Sequence, residues 1–280
     1  MKVGLVLEGG AMRGMYTAGV LDIFLDNEIK VDGIIAVSAG ALFGANYVSK
    51  QRGRTIRYNK RFAKDKRYMG MKSLLTTGNI INKDFSYYEV PYKLDIFDQE
   101  TFSKSNIDFY ATITNVESGK AEYVKIKDVF KQMEVLRATS SMPFVSEMID
   151  LNGKKYLDGG IADSIPIEEC IKQGYDKIIV ILTRPIEYRK KKANKIMTNL
   201  KYKKYPNLVK AIQNRYKIYN ETIEKIINME EKNKIFVIRP SETIKIKRIE
   251  RNPEKLQEMY DLGIKDCNNK IEELKKYLKD

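Results

Sequence analysis

The stretch DGIIAVSAGALFGA, residues 32–45, reads as a buried strand, a sharp turn and a helix in immediate succession. Its first part is apolar and partly β-branched, which suits a strand covered on both faces. Ser38 then stands among the small residues Ala36, Ala39 and Gly40, with only Val37 larger. A sharp strand-to-helix turn needs such neighbours, because bulkier side chains would collide there. The helix that starts at Ala39 would point its positive end at the Ser38 hydroxyl and favour its alkoxide. A serine that merely caps the helix would leave the same pattern. What separates nucleophile from cap is a base opposite the hydroxyl.

Working outward, MKVGLVLEGGAMRG at residues 1–14 repeats the plan: an apolar run, a glycine loop, and then the helical pattern MYTAGVLDIFLDN. The short apolar run is a first strand rather than an export signal, since no longer apolar segment with a cleavage site follows. Two strand–loop–helix units in the first fifty residues predict a parallel sheet with crossover helices, and hence an α/β fold. The loop Gly9, Gly10, Ala11, Met12, Arg13, Gly14 lies where main-chain N–H groups converge on an anion ahead of a helix. Pyrophosphate of a dinucleotide is one such anion, but G-x-G-x-x-G is met only in part because Ala11 takes the middle glycine position. An acyl-hydrolase oxyanion is another. A turn that only lets strand and helix pack is the third reading.

The rest of the chain continues the alternation. Residues 107–116 and 120–127 flank Glu117-Ser118-Gly119 as a hairpin, and Asn152-Gly153 marks a second hairpin between EMIDL and KKYLD. VFKQMEVLRAT reads as a helix, LLTTGNIINKDF as loop, and IPIEECIKQG as a helix that starts near Pro166 and stops at Gly174. DKIIVILTRP and KIFVIRP are buried strands on either side of a long basic helical region. Leu256, Tyr260, Ile264, Cys267, Ile271, Leu274 and Leu278 recur at steps of three and four and mark a terminal amphipathic helix.

The 280 residues include no histidine. That removes the ordinary Ser-His-Asp arrangement and the commonest catalytic zinc ligand. Cys170 and Cys267 form neither a disulfide framework nor a metal-ligand spacing, so no metal mechanism is expected, and only carboxylates are left to hold an oxygen-ligated ion. The net charge is +14 and is unevenly placed. Residues 50–72 carry ten basic side chains against one acid, and residues 184–217 carry twelve against Glu187 alone. Tyr58, Tyr68, Tyr188, Tyr202, Tyr205, Tyr216 and Tyr219 are interleaved with them, which suits an anionic surface with an apolar side, such as lipid headgroups. Nucleic acid and a plain solvated face would give the same pattern. No apolar run approaches the roughly 20 residues of a bilayer span, so a soluble or peripheral protein is expected.

YLDGG, residues 156–160, ends a short strand with Asp158 before Gly159 and Gly160. Asp-Gly is a turn signal, and most such aspartates only bond their own loop. In an α/β sheet, however, strand ends collect at one edge, which would bring Asp158 to the glycine loop and Ser38. A carboxylate would then serve as the base directly.

The glycine loop, the serine elbow Ala36-Val37-Ser38-Ala39-Gly40 and the downstream Asp-Gly-Gly motif, in this order, resemble the patatin-like phospholipase family. LVLEGGAMRGMYTAGVLD, RYMGMKSLLTTGN and RATSSMP extend the resemblance to bacterial members with a carboxyl-terminal extension. The resemblance implies a three-layer α/β/α fold with a mainly parallel central sheet and a C-terminal helical extension. Residues 1–240 would form the acyl hydrolase domain, with basic helical excursions near 50–72 and 184–217, and residues 241–280 an amphipathic extension packed on it. It further implies a phospholipase A or lysophospholipase type of ester hydrolysis, with Ser38 as nucleophile, Asp158 as base, and amides around Gly10, Ala11 and Met12 holding the oxyanion. It also implies that no cofactor is needed. A lipid substrate, an anionic membrane surface and a cytoplasmic location, peripheral on the inner membrane, go with it; nucleic acid does not. Ala11 and Ala36 each stand where the family usually has glycine. The rival readings are a dinucleotide-dependent enzyme, with Glu28 or Asp32 holding a ribose, and a non-catalytic binder of anionic lipid or nucleic acid.

Overall fold

The computed structural model describes residues 1–279. In chain order the elements are β1 (Val3–Leu7), α1 (Met15–Asp26), β2 (Gly33–Val37), α2 (Ala39–Val48), α3 (Arg54–Phe62), α4 (Met71–Thr77), α5 (Gln99–Lys104), β3 (Asp108–Asn115), β4 (Ala121–Lys125), α6 (Met133–Ser140), β5 (Ile149–Leu151), β6 (Lys154–Asp158), α7 (Ile167–Lys172), β7 (Lys177–Ile181), α8 (Lys195–Tyr202), α9 (Pro206–Glu231), β8 (Phe236–Ile238) and α10 (Pro253–Tyr277). The strands form one sheet in which hydrogen bonds link β5 to β6, β6 to β3, β3 to β2, β2 to β1, β1 to β7 and β7 to β8, with β4 also paired to β3. Strands β3, β2, β1, β7 and β8 run parallel. β4, β5 and β6 add antiparallel pairs at one side.

Side-chain alternation along the parallel strands explains the layers. Leu5 and Leu7 of β1, Ile34 and Ala36 of β2, and Ile179 and Ile181 of β7 enter one core with α1, α2, α3 and α10. Val6, Ile35, Ile178 and Val180 enter a second core with α7 and α9. Both faces of the sheet are therefore apolar, as a parallel sheet under crossover helices requires, and the result is the three-layer α/β/α fold expected. The terminal helix α10 lies against α1. A Cβ at Gly19 would come within 2.2 Å of the Tyr260 carbonyl oxygen, and one at Gly263 within 2.2 Å of that of Tyr16, so only glycine lets the two backbones cross this closely. Tyr16 donates to Asp266 Oδ2 at 3.1 Å and Tyr260 to Asp22 Oδ2 at 2.5 Å across the same contact.

Three local expectations change. Leu74–Thr77 belong to α4 rather than loop, closed by Gly78 at φ 73°, and Asp84 and Phe85 open a π-helical stretch, Asp84–Leu94, between α4 and α5. The helix expected from Val129 begins only at Met133, because Gln132 spends its side chain on the main chain of Lys125, Lys127 and Asp128. The interleaved tyrosines are not a surface stripe: Tyr68, Tyr202 and Tyr219 are buried, and Tyr58, Tyr188, Tyr205 and Tyr216 are half-buried. Arg54 in the first basic segment is also internal, 3.1 Å from Asp95 Oδ1 and donating to Asn46 Oδ1 at 2.8 Å. Pattern counting registers charge and aromaticity but not which face of a helix turns inward.

Candidate active site

The register of β3 places the site. Its residues 108–112 pair with β2 in parallel, and residues 113–115 pair with β6 antiparallel. Because β4 occupies the other edge of β3 over residues 110–114, β2 and β6 must lie end to end along one edge. Their carboxyl ends therefore meet head on, with Ser38 one residue beyond β2 and Asp158 the last residue of β6. Asp158 reaches the cleft by this antiparallel route, not as the end of a parallel strand.

Ser38 Oγ donates to Asp158 Oδ2 at 2.8 Å, and both residues are buried. Ser38 adopts φ 54°, ψ −123°, a conformation that costs on the order of 1–3 kcal/mol in a residue with a side chain and is held only by strong surroundings. Those surroundings are visible. Ser38 N–H donates to Thr139 Oγ1 at 2.9 Å, and Thr139 Oγ1 donates to the Thr112 carbonyl at 2.5 Å, which ties the turn through α6 to β3. After the turn α2 passes close to β1, where a Cβ on Gly40 would come within 2.8 Å of the Leu7 carbonyl oxygen. Ala36 is fully buried in β2, beside Val37.

Asp158 Oδ1 accepts from Gly160 N–H at 2.8 Å, and its carbonyl accepts from Thr114 Oγ1 at 2.9 Å. Burial pushes its carboxyl above the usual carboxylate range. The nearby Arg215 guanidinium and the Ser38 and Gly160 hydrogen bonds pull the other way without overcoming it. A carboxylate so placed is a better proton acceptor near neutrality than one in water.

In the glycine loop, Gly9 N–H donates to the Ser164 carbonyl at 3.3 Å, Met12 N–H to that of Arg248 at 3.3 Å, and Arg13 N–H to that of Gly10 at 3.2 Å. Gly10 and Ala11 N–H have no acceptor among the described residues, so of the three amides expected around the oxyanion these two remain free and that of Met12 does not. Ala11 has φ 50°, the left-handed region that glycine adopts without cost. Gly14 packs against Ala39 and Phe43 of α2, and Gly159 and Gly160 carry the chain away from Asp158.

Ser38 and Ala11 sit where two arms of one cleft join. The narrow arm, about 110 Å³, is apolar, walled by Leu42, Phe43, Val90, Val129, Met133 and Leu136. The wider one, about 530 Å³, is cationic, with Arg13, Arg184, Lys190, Arg215 and Arg248 around it. Sequence reading gave those basic residues, Arg13 apart, no place in the site. Three of them were counted only as part of the basic run, and Arg248 carried no signal. Thr139 was also missed, although it lies in the RATSSMP stretch. Asp32 accepts from Val3 N–H at 2.7 Å, and Glu28 is in a turn at φ 52°, so neither is posed to hold a ribose.

The cleft thus joins a hydrogen-bonded Ser-Asp pair to an apolar and a cationic arm at one edge of an α/β sheet. The family model described as patatin-like phospholipase matches residues 5–171, and the chain belongs to that family. A second model, described as a domain of unknown function (DUF6363), matches residues 205–279. Uncharacterized protein YjjU of Escherichia coli is 27% identical over 277 residues, covering 94% of this chain and 75% of its own. Lysophospholipase nte1 of Emericella nidulans is 30% identical over 195 residues, covering 64% of this chain and 12% of its own length. The solved structure of VipD from Legionella pneumophila aligns over 96% of this chain and 66% of its own, with TM-score 0.45 and 13% identity.

Proposed function

We propose that the protein is a serine hydrolase that cleaves fatty-acyl esters of phospholipids or lysophospholipids with Ser38 as nucleophile and Asp158 as base. The observation that carries this reading is the 2.8 Å hydrogen bond from Ser38 Oγ to Asp158 Oδ2 beside two free loop amides. The Ser38 proton passes to Asp158 as Oγ attacks the ester carbonyl, and Gly10 and Ala11 N–H donate to the oxyanion. Collapse of the tetrahedral adduct breaks the bond to the alcohol oxygen, which leaves with the proton from Asp158. Water then attacks the acyl-serine, again giving its proton to Asp158, and the fatty acid departs as Ser38 is reprotonated. The Ala11 and Ala36 replacements remove no reacting group from this sequence.

Lipid reaches the cleft at its rim. Phe144 N–H donates to Tyr202 Oη at 2.7 Å and Ile80 N–H to the Val145 carbonyl at 2.8 Å, so the wall segment around residues 142–147 lies between α8 and the chain after α4. These two helices expose Ile196, Met197 and Leu200, and Met71 and Leu75. Exposed Lys195, Lys201, Lys203 and Lys204 surround the α8 group. Apolar tips among lysines fit an anionic bilayer surface. Among the described residues no helix is long and apolar enough to cross a membrane. The test is hydrolysis of long-chain acyl esters by purified protein: Ser38→Ala and Asp158→Asn each lower turnover at least about 10²-fold with the fold intact, and full activity in either variant refutes the assignment.

A further inference from the structure

Besides the exposed Lys191 and Lys192, five cations surround the wider arm without a carboxylate partner. Arg13 comes from the glycine loop, Arg184 from the chain just after β7, Lys190 from the strap beyond it, Arg215 from α9 and Arg248 from the connection between β8 and α10. None of the five makes an ion pair among the described residues. The two acids in the same wall are already engaged. Glu8 accepts from Thr183 N–H at 2.6 Å, Thr183 Oγ1 at 3.0 Å and Tyr219 Oη at 2.9 Å, while Asp158 accepts from Ser38 and Gly160. Arg13 Nε is buried with no hydrogen-bond partner.

The cluster is built, not a loose solvated face. The Lys190 N–H donates to Asn220 Oδ1 at 2.8 Å, and its carbonyl accepts from Asn220 Nδ2 at 3.2 Å. Lys190 Nζ lies 4.2 Å from the Tyr219 ring centroid, and the Arg184 guanidinium 4.3 Å from that of Tyr188. Arg215 Nε donates to Ser164 Oγ at 3.3 Å, and the Arg248 carbonyl receives the Met12 amide. Like charges held together and partly out of water disfavour their own charged forms. Burial first, then Arg184 and Arg248, push Arg13 down to about 10. Burial and then Arg215 push Lys190 down to about 7. Such a set is costly when bare, and a multiply acceptor-bearing anion relieves it, since guanidinium forks match phosphate oxygens.

We propose that the wider arm is a subsite for a phosphate group carried by the acyl ester itself, so that the substrate is an anionic phospholipid or lysophospholipid whose acyl chain enters the apolar arm. This rests on the hydrolase reading above. The two arms share Ala11, Ser38, Met142, Arg248 and Ile249, so a molecule that spans them presents its ester at Ser38. Four of the five cations lie beyond residue 171, where the patatin-like match ends, and Arg215 and Arg248 fall in the match described as a domain of unknown function. Headgroup recognition is thereby a task of the carboxyl-terminal part of the chain.

The test compares kcat/KM for 1-oleoylglycerol 3-phosphate with that for 1-oleoylglycerol in the same detergent. The wild type favours the phosphate-bearing ester by at least about tenfold, and Lys190→Met and Arg248→Met each reduce that ratio about tenfold, the worth of one charge-assisted hydrogen bond. Lys232→Met, an exposed charge at the end of α9, leaves it unchanged. No preference in the wild type, or a preference kept in both cavity variants, overturns the proposal. In a second arm, calorimetry on Ser38→Ala protein compares oleoylglycerol phosphate with inorganic phosphate. Tighter binding of the lipid, weakened by adding Lys190→Met, supports the subsite even where no ester is hydrolysed, in which case the hydrolase reading alone fails. Inorganic phosphate binding as tightly as the lipid assigns the arm to a soluble phosphate and overturns the lipid assignment, and binding of neither overturns the subsite.

Discussion

Thr139→Val replaces a hydroxyl with a methyl of the same size in a fully buried place. The Thr139 hydroxyl accepts from Ser38 N–H and donates to the Thr112 carbonyl, so the substitution strands one donor and one acceptor at once. An unsatisfied buried group costs about 1–3 kcal/mol, and two give an expected loss of about 2–5 kcal/mol in unfolding free energy. The stranded amide belongs to Ser38, whose φ of 54° persists only while its neighbours impose it. Released from Thr139, the turn relaxes and the hydroxyl moves away from Asp158, and a displacement of about 1 Å is enough for a 10²-fold loss of rate. Urea denaturation measures the first effect and hydrolysis of an acyl ester under native conditions the second. Thr139→Ser, which keeps the hydroxyl, recovers most of both. Thr139→Val that stays within about 0.5 kcal/mol of wild type and hydrolyses ester at the wild-type rate refutes the view that this hydroxyl holds the nucleophile in place.

The pH profile of turnover reads the base directly. The reaction needs Asp158 ionised, and burial holds its carboxyl above the ordinary range, against the opposing pull of Arg215, Ser38, Gly160 and Lys190. Activity therefore falls as pH drops through a pKa higher than about 3.9, and a profile flat down to pH 4 contradicts this. Ala11→Gly removes a side chain from a left-handed position; the gain of about 1–2 kcal/mol in the folded loop is partly offset by the freer unfolded chain. A thermal midpoint equal to or above wild type is expected, with a marked drop as the contrary result. On the rim, Ile196→Ser with Leu200→Ser weakens binding to phosphatidylglycerol vesicles, and so does raising salt, while hydrolysis of a short soluble ester is kept. Vesicle binding indifferent to both removes α8 from the docking surface.

The fold was legible because the parallel strands are buried on both faces and the small residues around Ser38 admit few other turns. The Ser38 and Asp158 loops could be named from local sequence, but the way they meet could not. That depends on β6 following β2 along the edge of β3, a register written in no short motif. The cationic arm was hidden for a related reason. Arg184, Lys190 and Arg215 lie inside a run of basic residues most of whose other members are exposed, and only the packing of the chain across the sheet shows which charges turn inward. Tyr219 illustrates the same limit: counted as part of a lipid-facing surface, it is buried and donates to Glu8.

The central claim is that Ser38 is made nucleophilic by Asp158 without an imidazole. Mass spectrometry of the protein treated with a fluorophosphonate reads this at the residue concerned. The account predicts one adduct, on Ser38, that forms rapidly in the wild type, at least about 10²-fold more slowly in Asp158→Asn, and not at all in Ser38→Ala. An unlabelled Ser38 in folded wild-type protein, or labelling that proceeds equally fast in Asp158→Asn, contradicts it.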